Sequence, residues 1–328
     1  MKLKCSSTME CLPLREPFEI ARGVMTGVDV VVATLHDAQG HRGRGEAAGV
    51  DYDGESPASM TEQIAAVAPR LHADVTPAEL MQWLPAGGAR NALDCALWDL
   101  RAKQAASRVW TLAGLPAARP VQTAYTIGLG SPEEVRRKAR AAQHMPLLKI
   151  KVDATRHVEL LRIVREEQPN ARLVVDANQA WSRTLLEQLL PVLQALGVEL
   201  IEQPVPRGTD AQLRDLHSPI PLAADESCTD RGSLPPLRGL YAYINIKLDK
   251  CGGLSEALAL AREAEAMGFG LMVGNMGGSS LAMAPAHLIA QDCAYVDLDG
   301  PLLLTHDRDA AMAYDGAQLG VMAPALWG

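Results

Sequence analysis

The chain has no run of apolar residues approaching the roughly 18–20 that a membrane span requires, and it has no low-complexity tract. It carries no surplus of positive charge: 31 Lys and Arg face 39 Asp and Glu, a formal net charge of −8. That balance offers no basic footprint to nucleic acid and none to an anionic membrane. Cysteines are few and solitary. Cys5, Cys11, Cys95, Cys228, Cys251 and Cys293 form no CxxC pair, so reduced thiols are expected rather than a disulfide frame. No histidine stands as a partner for a cysteine nucleophile, and the eight histidines show no metal-ligand spacing. The first residues, MKLKCSSTMECLPL, lack the apolar stretch of a signal peptide. A cytoplasmic enzyme acting on a small molecule is the expectation, with homo-oligomerisation left open.

What is there divides in two. Residues 1 to about 48 alternate like antiparallel strands, with Val28–His36 and His41–Ala48 flanking a hairpin turn at Asp37–Gly40. Residues 20–27 form a glycine-punctuated stretch, read as a mobile loop. Helical periodicity follows near 57–71, 76–84 and 88–106; in the last, Ala89, Ala92, Leu93, Ala96, Leu97 and Leu100 share one face. Strands followed by helices describe an α+β unit over 1–118. From Val121 the pattern becomes strict strand–helix alternation. A strand at about 122–128 is followed by Ser131-Pro132-Glu133-Glu134, a capping box. Further strands end near 151, 176, 202, 225, 247, 274 and 298. Helices are expected near 154–167, 182–196, 209–217, 230–239, 254–267 and 280–291, with Pro191 and Pro285 kinking or shortening theirs. Eight strands with crossover helices predict a TIM-like barrel over 119–304. The tail, 305–328, has no further unit and is expected to return to the N-terminal domain.

The strand ends carry the chemistry. Short apolar runs close on Lys149-Ile150-Lys151, Asp176, Glu202, Asp225, Lys247 and Asp297-Leu298-Asp299. From Lys149 the intervals to Asp176, Glu202, Asp225 and Lys247 are 27, 26, 23 and 22 residues, about one strand, one helix and two loops each. In a closed parallel barrel, catalytic groups come from such carboxyl ends. Three carboxylates clustered there oppose one another's ionisation. A hard divalent cation relieves that, and a few carboxylates completed by substrate and water suit Mg²⁺. Lys149 and Lys151 are two apart and share a strand face; Lys247 reaches in from the opposite wall. Lysines on both sides of a carbon next to a carboxylate, with a cation to stabilise the enediolate, predict racemisation or epimerisation.

The motifs GRGEAAG (43–49), ARNALDCALWDL (89–100), KIK (149–151), DAN (176–178), EQP (202–204), ADES (224–227), INIKLDKCGG (244–253) and DLDGP (297–301) span nearly the whole chain. With them the sequence resembles the enolase superfamily, its muconate-lactonizing subgroup, and within that the dipeptide epimerases. The resemblance implies an α+β capping domain over a modified (β/α)₇β barrel, and one Mg²⁺ held by Asp176, Glu202 and Asp225. It implies Lys151 and Lys247 as the acid/base pair, Lys149 as electrostatic support, and Asn178 and Glu226 in supporting roles. Asp297 and Asp299 would receive the free α-ammonium of a dipeptide substrate. Two capping loops, 20–27 and 47–54, would close over it. Arg22 is the candidate contact to the substrate's side chain or carboxylate, and Thr126 a further contact. Val24 and Met25 make the first loop less basic than an acidic second residue calls for, and Asp51 and Asp53 would repel one.

Within the fold the alternatives are an N-acylamino acid racemase, an o-succinylbenzoate synthase or a cycloisomerase, whose substrates bring no ammonium to the two aspartates. A metal-dependent hydrolase would want ligating histidines. A non-catalytic binding protein would not need the full set of lysines and carboxylates.

Overall fold

A computed structural model describes residues 2–20 and 23–328. The chain opens with three antiparallel strands, β1 (Lys4–Ile20), β2 (Gly23–His36) and β3 (Arg42–Ala47). The expected turn holds: the Asp37 carboxylate accepts the backbone N–H groups of Gln39 and His41, each at 2.9 Å. Helices α1 (Pro57–Val67) and α3 (Gly88–Gln104) pack on the sheet, and α2 (Pro77–Trp83) packs against α3. Ser56 and Thr76 each cap their helix through a capping box, with proline in the first turn. Leu35, Ile64, Leu93 and Leu100 meet in the core between sheet and helices. Glycine allows the close approach of β3 to α3. A Cβ on Gly43 or Gly45 would lie 2.2 Å from the carbonyl oxygen of Ala96 or Ala92.

After α4 (Val109–Leu112) and the short strand β4 (Val121–Gln122), the parallel repeat begins. Its strands are β5 (Tyr125–Ile127), β6 (Leu147–Lys151), β7 (Arg172–Asp176), β8 (Val198–Glu202), β9 (Leu222–Ala224), β10 (Tyr243–Ile246), β11 (Gly270–Val273) and β12 (Tyr295–Val296). Each pairs in parallel with the next, in chain order. The two edges meet where Ala124 donates its N–H to the Val296 carbonyl at 2.7 Å. The crossover helices are α5 (Pro132–Ala141), α6 (His157–Glu167), α7 (Arg183–Ala195), α8 (Leu234–Leu237), α9 (Leu248–Cys251), α10 (Leu254–Ala266) and α11 (Ser280–Ile289). The fold is therefore α/β, an eight-stranded parallel curled sheet with crossover helices beside an N-terminal antiparallel unit.

Four expectations need correction. The stretch 209–217 is only a 3-10 turn, Asp210–Leu213. The stretch 230–239 is a 3-10 turn followed by the single turn of α8, where Pro235 and Pro236 remove two backbone donors. The first strand is split, since Thr123 and Ala124 turn to bond Ala317 and Val296. Within 20–27, Gly23–Gly27 continue β2, with Val24 opposite Glu19 and Met25 opposite Phe18, instead of forming a free loop. Helices α7 and α11 run on through Pro191 and Pro285.

After α12 (Gly300–Leu303) the tail forms β13 (Tyr314–Asp315) and β14 (Gln318–Leu319), and β14 pairs with β4. The tail also reaches the N-terminal unit. Arg308 bonds Glu10 and Glu46, and Trp327 donates its indole N–H to the Cys95 carbonyl at 3.0 Å.

Candidate active site

One apolar residue from each barrel strand or its edge forms a floor: Ala124, Leu147, Val174, Leu200, Ala223, Met272 and Tyr295, with Tyr243 packed against them. Side chains on a strand repeat their facing every second residue. Two positions further along each strand come Thr126, Lys149, Asp176, Glu202, Asp225, Asn245, Gly274 and Asp297. The polar layer is thus the next layer of a filled barrel, at the carboxyl ends of its strands. Two positions beyond that come Lys151, Asn178, Lys247 and Asp299.

The register sets these groups side by side: Thr126 opposite Lys149, Lys151 opposite Asp176, and Asp176 opposite Glu202. Lys149, 2% exposed, places Nζ 3.0 Å from Asp176 Oδ2, 2.8 Å from Glu202 Oε2 and 2.8 Å from Asp297 Oδ2. Lys151 donates to Asp176 Oδ2 at 2.6 Å and to Asn178 Oδ1 at 3.0 Å. Lys247 donates to Asp225 Oδ2 at 2.7 Å. Asn178 donates its amide to Glu226 Oε1 at 3.3 Å and its backbone N–H to Asp176 Oδ1 at 2.9 Å. Asp299 Oδ2 accepts the Thr126 backbone N–H at 2.6 Å.

Burial and charge pull these groups in opposite directions. Burial opposes ionisation of Asp176, yet Lys149 and Lys151 hold it below the ordinary carboxylate range. Asp225 is likewise held well below that range, chiefly by Lys247, Lys250 and Lys149. Glu202 is pushed up to about 7 by burial and by the charge of Asp176, against Lys149. Burial works against the Lys149 and Lys247 ammonium groups, but neighbouring carboxylates outweigh it and raise both above the usual lysine range. A neutral lysine base requires the opposite direction, which further positive charge placed among these carboxylates would favour.

Asp176, Glu202 and Asp225 each offer an oxygen, and these oxygens lie within 4.8 Å of one another. Glu202 Oε2 is buried and close to Lys149 Nζ yet lacks hydrogen-bond geometry to any donor among the described residues. Three hard oxygen donors from three consecutive strands, one of them under-satisfied, fit a divalent cation such as Mg²⁺.

Above the lysine tips lies a cavity of about 390 Å³, the size range of small-molecule sites. Lys149, Lys151, Lys247, Thr126, Asp297 and Asp299 line its floor and side. The N-terminal unit adds the apolar Leu14, Phe18, Ile20, Met25 and Val28, with Asp29, Asp51 and Glu55 as its acids. Gly274 leaves room for Asn245 and Lys247, since a Cβ there would come within 2.8 Å of Asn245 Oδ1 and 3.1 Å of Lys247 Cε. Arg22 lies outside the described residues.

Three residues were not singled out by sequence. Asn245 donates to Glu202 Oε1 at 2.8 Å; it stands two before Lys247, so strand periodicity could have found it. Lys250 bonds the Asp225 backbone carbonyl and, at 2.7 Å, Asp225 Oδ1. Gln203, at φ +34°, accepts the backbone N–H groups of Asp225 and Ser227 at 2.9 and 3.1 Å. No local pattern reveals either of the last two.

Residues 4–114 match the mandelate racemase / muconate lactonizing enzyme N-terminal domain, and residues 133–311 match the enolase C-terminal domain-like family. An L-Ala-D/L-Glu epimerase from Escherichia coli is 42% identical over 312 residues, 94% of this chain and 97% of that protein. An N-acetyl-D-glutamate racemase from a Pseudoalteromonas species is 45% identical over 250 residues, 76% of this chain and 79% of that protein. Among solved structures, an enolase family member from Agrobacterium tumefaciens with homology to dipeptide epimerases holds sodium and L-Ala-L-Glu. It superposes with a TM-score of 0.96 at 44% identity, over 99% of this chain and 100% of that one. A dipeptide epimerase from Methylococcus capsulatus, in complex with Mg and L-Arg-D-Lys, gives a TM-score of 0.88 at 32% identity, over 100% and 99%. With both of its units matched and near-complete relatives at this identity, the chain belongs to the enolase superfamily, in the mandelate racemase / muconate lactonizing enzyme family.

Proposed function

We propose that this protein is a Mg²⁺-dependent dipeptide epimerase that moves a proton off and onto the α-carbon of the substrate's C-terminal residue. One observation carries the reading. Lys151 on β6 and Lys247 just beyond β10, four strands apart around an eight-stranded sheet, face one cavity. A carbon between them is open to proton removal on one side and proton return on the other, which inverts it.

In this reading Asp176, Glu202 and Asp225 hold the cation. Mg²⁺ bound there supplies positive charge for the substrate carboxylate and for the negative charge that develops as the α-proton leaves. Lys149, clamped among Asp176, Glu202 and Asp297, adds a fixed positive charge beside the same carboxylate. Asn178 steadies Lys151 and bonds Glu226 in turn. Asp299, its direction fixed by Thr126, receives the α-ammonium beside Asp297, which Lys149 already holds. The apolar wall of Phe18, Ile20 and Met25 keeps water from the carbanionic carbon.

Racemisation of an N-acylamino acid is the second reading, and the 45% identity to an N-acetyl-D-glutamate racemase favours it. It leaves Asp297 and Asp299 without an ammonium to meet. Proton NMR in D₂O with Mg²⁺ decides between them, following α-proton exchange across dipeptides, L-Ala-L-Glu among them, and across N-acetylamino acids. Exchange at the C-terminal residue of dipeptides, abolished by EDTA, supports the proposal. Exchange only in N-acetylamino acids overturns it.

A further inference from the structure

The segment 48–55 of the N-terminal unit lines the cavity through Ala48, Gly49, Asp51 and Glu55, and it has to be held against the barrel. Two carboxylates do so, half-buried Glu55 and buried Asp249. Glu55 accepts the backbone N–H of Val50 at 2.8 Å and that of Gly88, at the start of α3, at 2.9 Å. Asp249, on the single turn α9, crosses between the two units and accepts the Gly49 N–H at 2.9 Å. Only Gly49 can sit there, at φ +77°, because a Cβ would meet Met60 Sδ at 2.9 Å and Glu55 Oε2 at 3.3 Å. On the open side of the segment, Arg207 grips Asp53 with two hydrogen bonds of 2.6 and 3.0 Å.

Asp249 differs from the other anchors in what lies around it. It follows Lys247 by two residues, and the next residue, Lys250, bonds the proposed metal ligand Asp225. One helical turn therefore touches the acid/base strand, the carboxylate cluster and the cavity's far wall. We infer that Asp249 is a positioning residue, docking the 48–55 segment onto the strand end that carries Lys247 and so forming the substrate-binding wall. The inference rests on the epimerase reading.

What Gly49 requires from position 249 is an acceptor, not a charge. The surroundings agree. Burial pushes the Asp249 carboxyl up to about 7 against the hydrogen bonds from Gly49 and Asn91, with Glu55 and Glu46 adding to the rise. An asparagine keeps the acceptor; an alanine removes it.

The test compares wild type, Asp249→Ala and Asp249→Asn by steady-state kinetics on the best dipeptide and by hydrogen–deuterium exchange of the peptide covering 48–56. Isothermal titration with MgCl₂ is the control. Asp249→Ala is expected to raise KM at least about tenfold with kcat changed less than about threefold, and to speed exchange in 48–56. Asp249→Asn should restore both, and Mg²⁺ affinity should hold in each. An unchanged KM and unchanged exchange in Asp249→Ala overturns the inference. So does a fall in kcat and Mg²⁺ affinity at constant KM, or an asparagine variant as impaired as alanine. If Asp249→Ala does not fold, Arg207→Ala releases the same segment from its open side and Asp249→Asn supplies the comparison. Faster exchange in 48–56 and a raised KM for Arg207→Ala, with wild-type values for Asp249→Asn, support docking, and no change for Arg207→Ala or an impaired asparagine variant overturns it. Should wild type exchange no dipeptide proton, the epimerase reading fails, while the exchange pattern of 48–56 still judges the docking.

Discussion

Lys149 Nζ lies 2.8 Å from Asp297 Oδ2, so of the two aspartates in DLDGP one is already ion-paired, and the other has no ion pair among the described residues. Asp299 instead takes a backbone N–H from Thr126. Its carboxyl is pushed up to about 7 by burial and by the charge of Asp297. The pair is therefore asymmetric: Asp297 is committed to Lys149, and Asp299 has capacity for an incoming cation.

That asymmetry separates the two substrate classes. Asp299→Asn should lower kcat/KM for a free dipeptide about 10- to 100-fold, the loss of a charged hydrogen bond worth about 1.5–3 kcal/mol. Turnover of an N-acetyl substrate should be nearly unaffected. Asp297→Asn should impair both classes, because it leaves Lys149 with one fewer carboxylate. Equal losses for both substrate types in Asp299→Asn would show that no ammonium docks there.

The raised carboxyl also fixes a pH dependence. Free Asp299 is protonated below about 7 and gains the charge that an ammonium needs above it. A dipeptide α-amino group loses its proton near pH 8. Log kcat/KM against pH should therefore rise through about 7, and Asp299→Asn should flatten that limb. For stability the sign is the reverse. The folded state holds this proton to higher pH than the unfolded chain, so between about 4 and about 7 the contribution of Asp299 falls as pH rises.

Removal of either acid/base lysine gives a sharper result than loss of rate. Lys151→Ala or Lys247→Ala should abolish epimerisation, a fall of about 10²- to 10⁴-fold or more. The remaining lysine still faces one side of the carbon. Each variant should then exchange the α-proton of one stereoisomer in D₂O and not of the other, with opposite preferences. NMR of the L,L and L,D dipeptides reads this directly, and exchange of both isomers by a single-lysine variant would contradict the two-sided arrangement.

These lysines were legible because each closes an apolar run, and an apolar strand that ends in a charge has few places to put it. The floor-to-site step of two residues, Leu147 to Lys149 or Val174 to Asp176, follows from strand pleating alone. Asn245 obeys the same step but is not conspicuous in the sequence, because asparagine in a strand carries no charge to explain. Lys250 and Asp249 sit on a single helical turn with no periodicity of its own, and only tertiary structure reveals their partners. The pairing of Lys149 with Asp297 spans 148 residues and depends on the sheet curling until its edges meet. In 230–239 the adjacent Pro235 and Pro236 keep the expected helix to a single turn, whereas in 209–217 the backbone leaves helical geometry at Asp215, φ +61°. Gly23 and Gly27 suggested a loop where paired strands run on, since glycine permits a turn without requiring one.

Cation binding should show as stability apart from any activity. Asp176, Glu202 and Asp225 are mutually repelling carboxylates in a buried cluster, answered now by Lys149, Lys151, Lys247 and Lys250. Mg²⁺ at about 100 times its dissociation constant should add about 2.7 kcal/mol to unfolding. Glu202→Gln should erase most of that increment while leaving the metal-free midpoint equal or higher, since it removes a carboxylate that burial already disfavours. Thermal denaturation with and without MgCl₂ and EDTA measures both. A Glu202→Gln variant with the full Mg²⁺ increment would remove this residue from the ligand set.

The last prediction concerns the tail's hold on the N-terminal unit. The guanidinium of Arg308 reaches Glu46 Oε2 at 2.5 Å and Glu10 Oε2 at 2.6 Å, and its Nε donates to Ser279 Oγ at 2.9 Å. The Glu46 side chain has no exposure, and that of Arg308 is 20% exposed. Removing one partner of a buried pair leaves the other charge uncompensated, so Arg308→Ala should cost about 3 kcal/mol in urea unfolding. Replacing both partners removes the stranded charge. Arg308→Met combined with Glu46→Gln should therefore be more stable than Arg308→Ala alone, even though it lacks the ion pair. If the double variant is the less stable of the two, the Glu46 carboxylate is not stranded in Arg308→Ala, and the hydrogen bonds it accepts from Ser279 suffice to hold it.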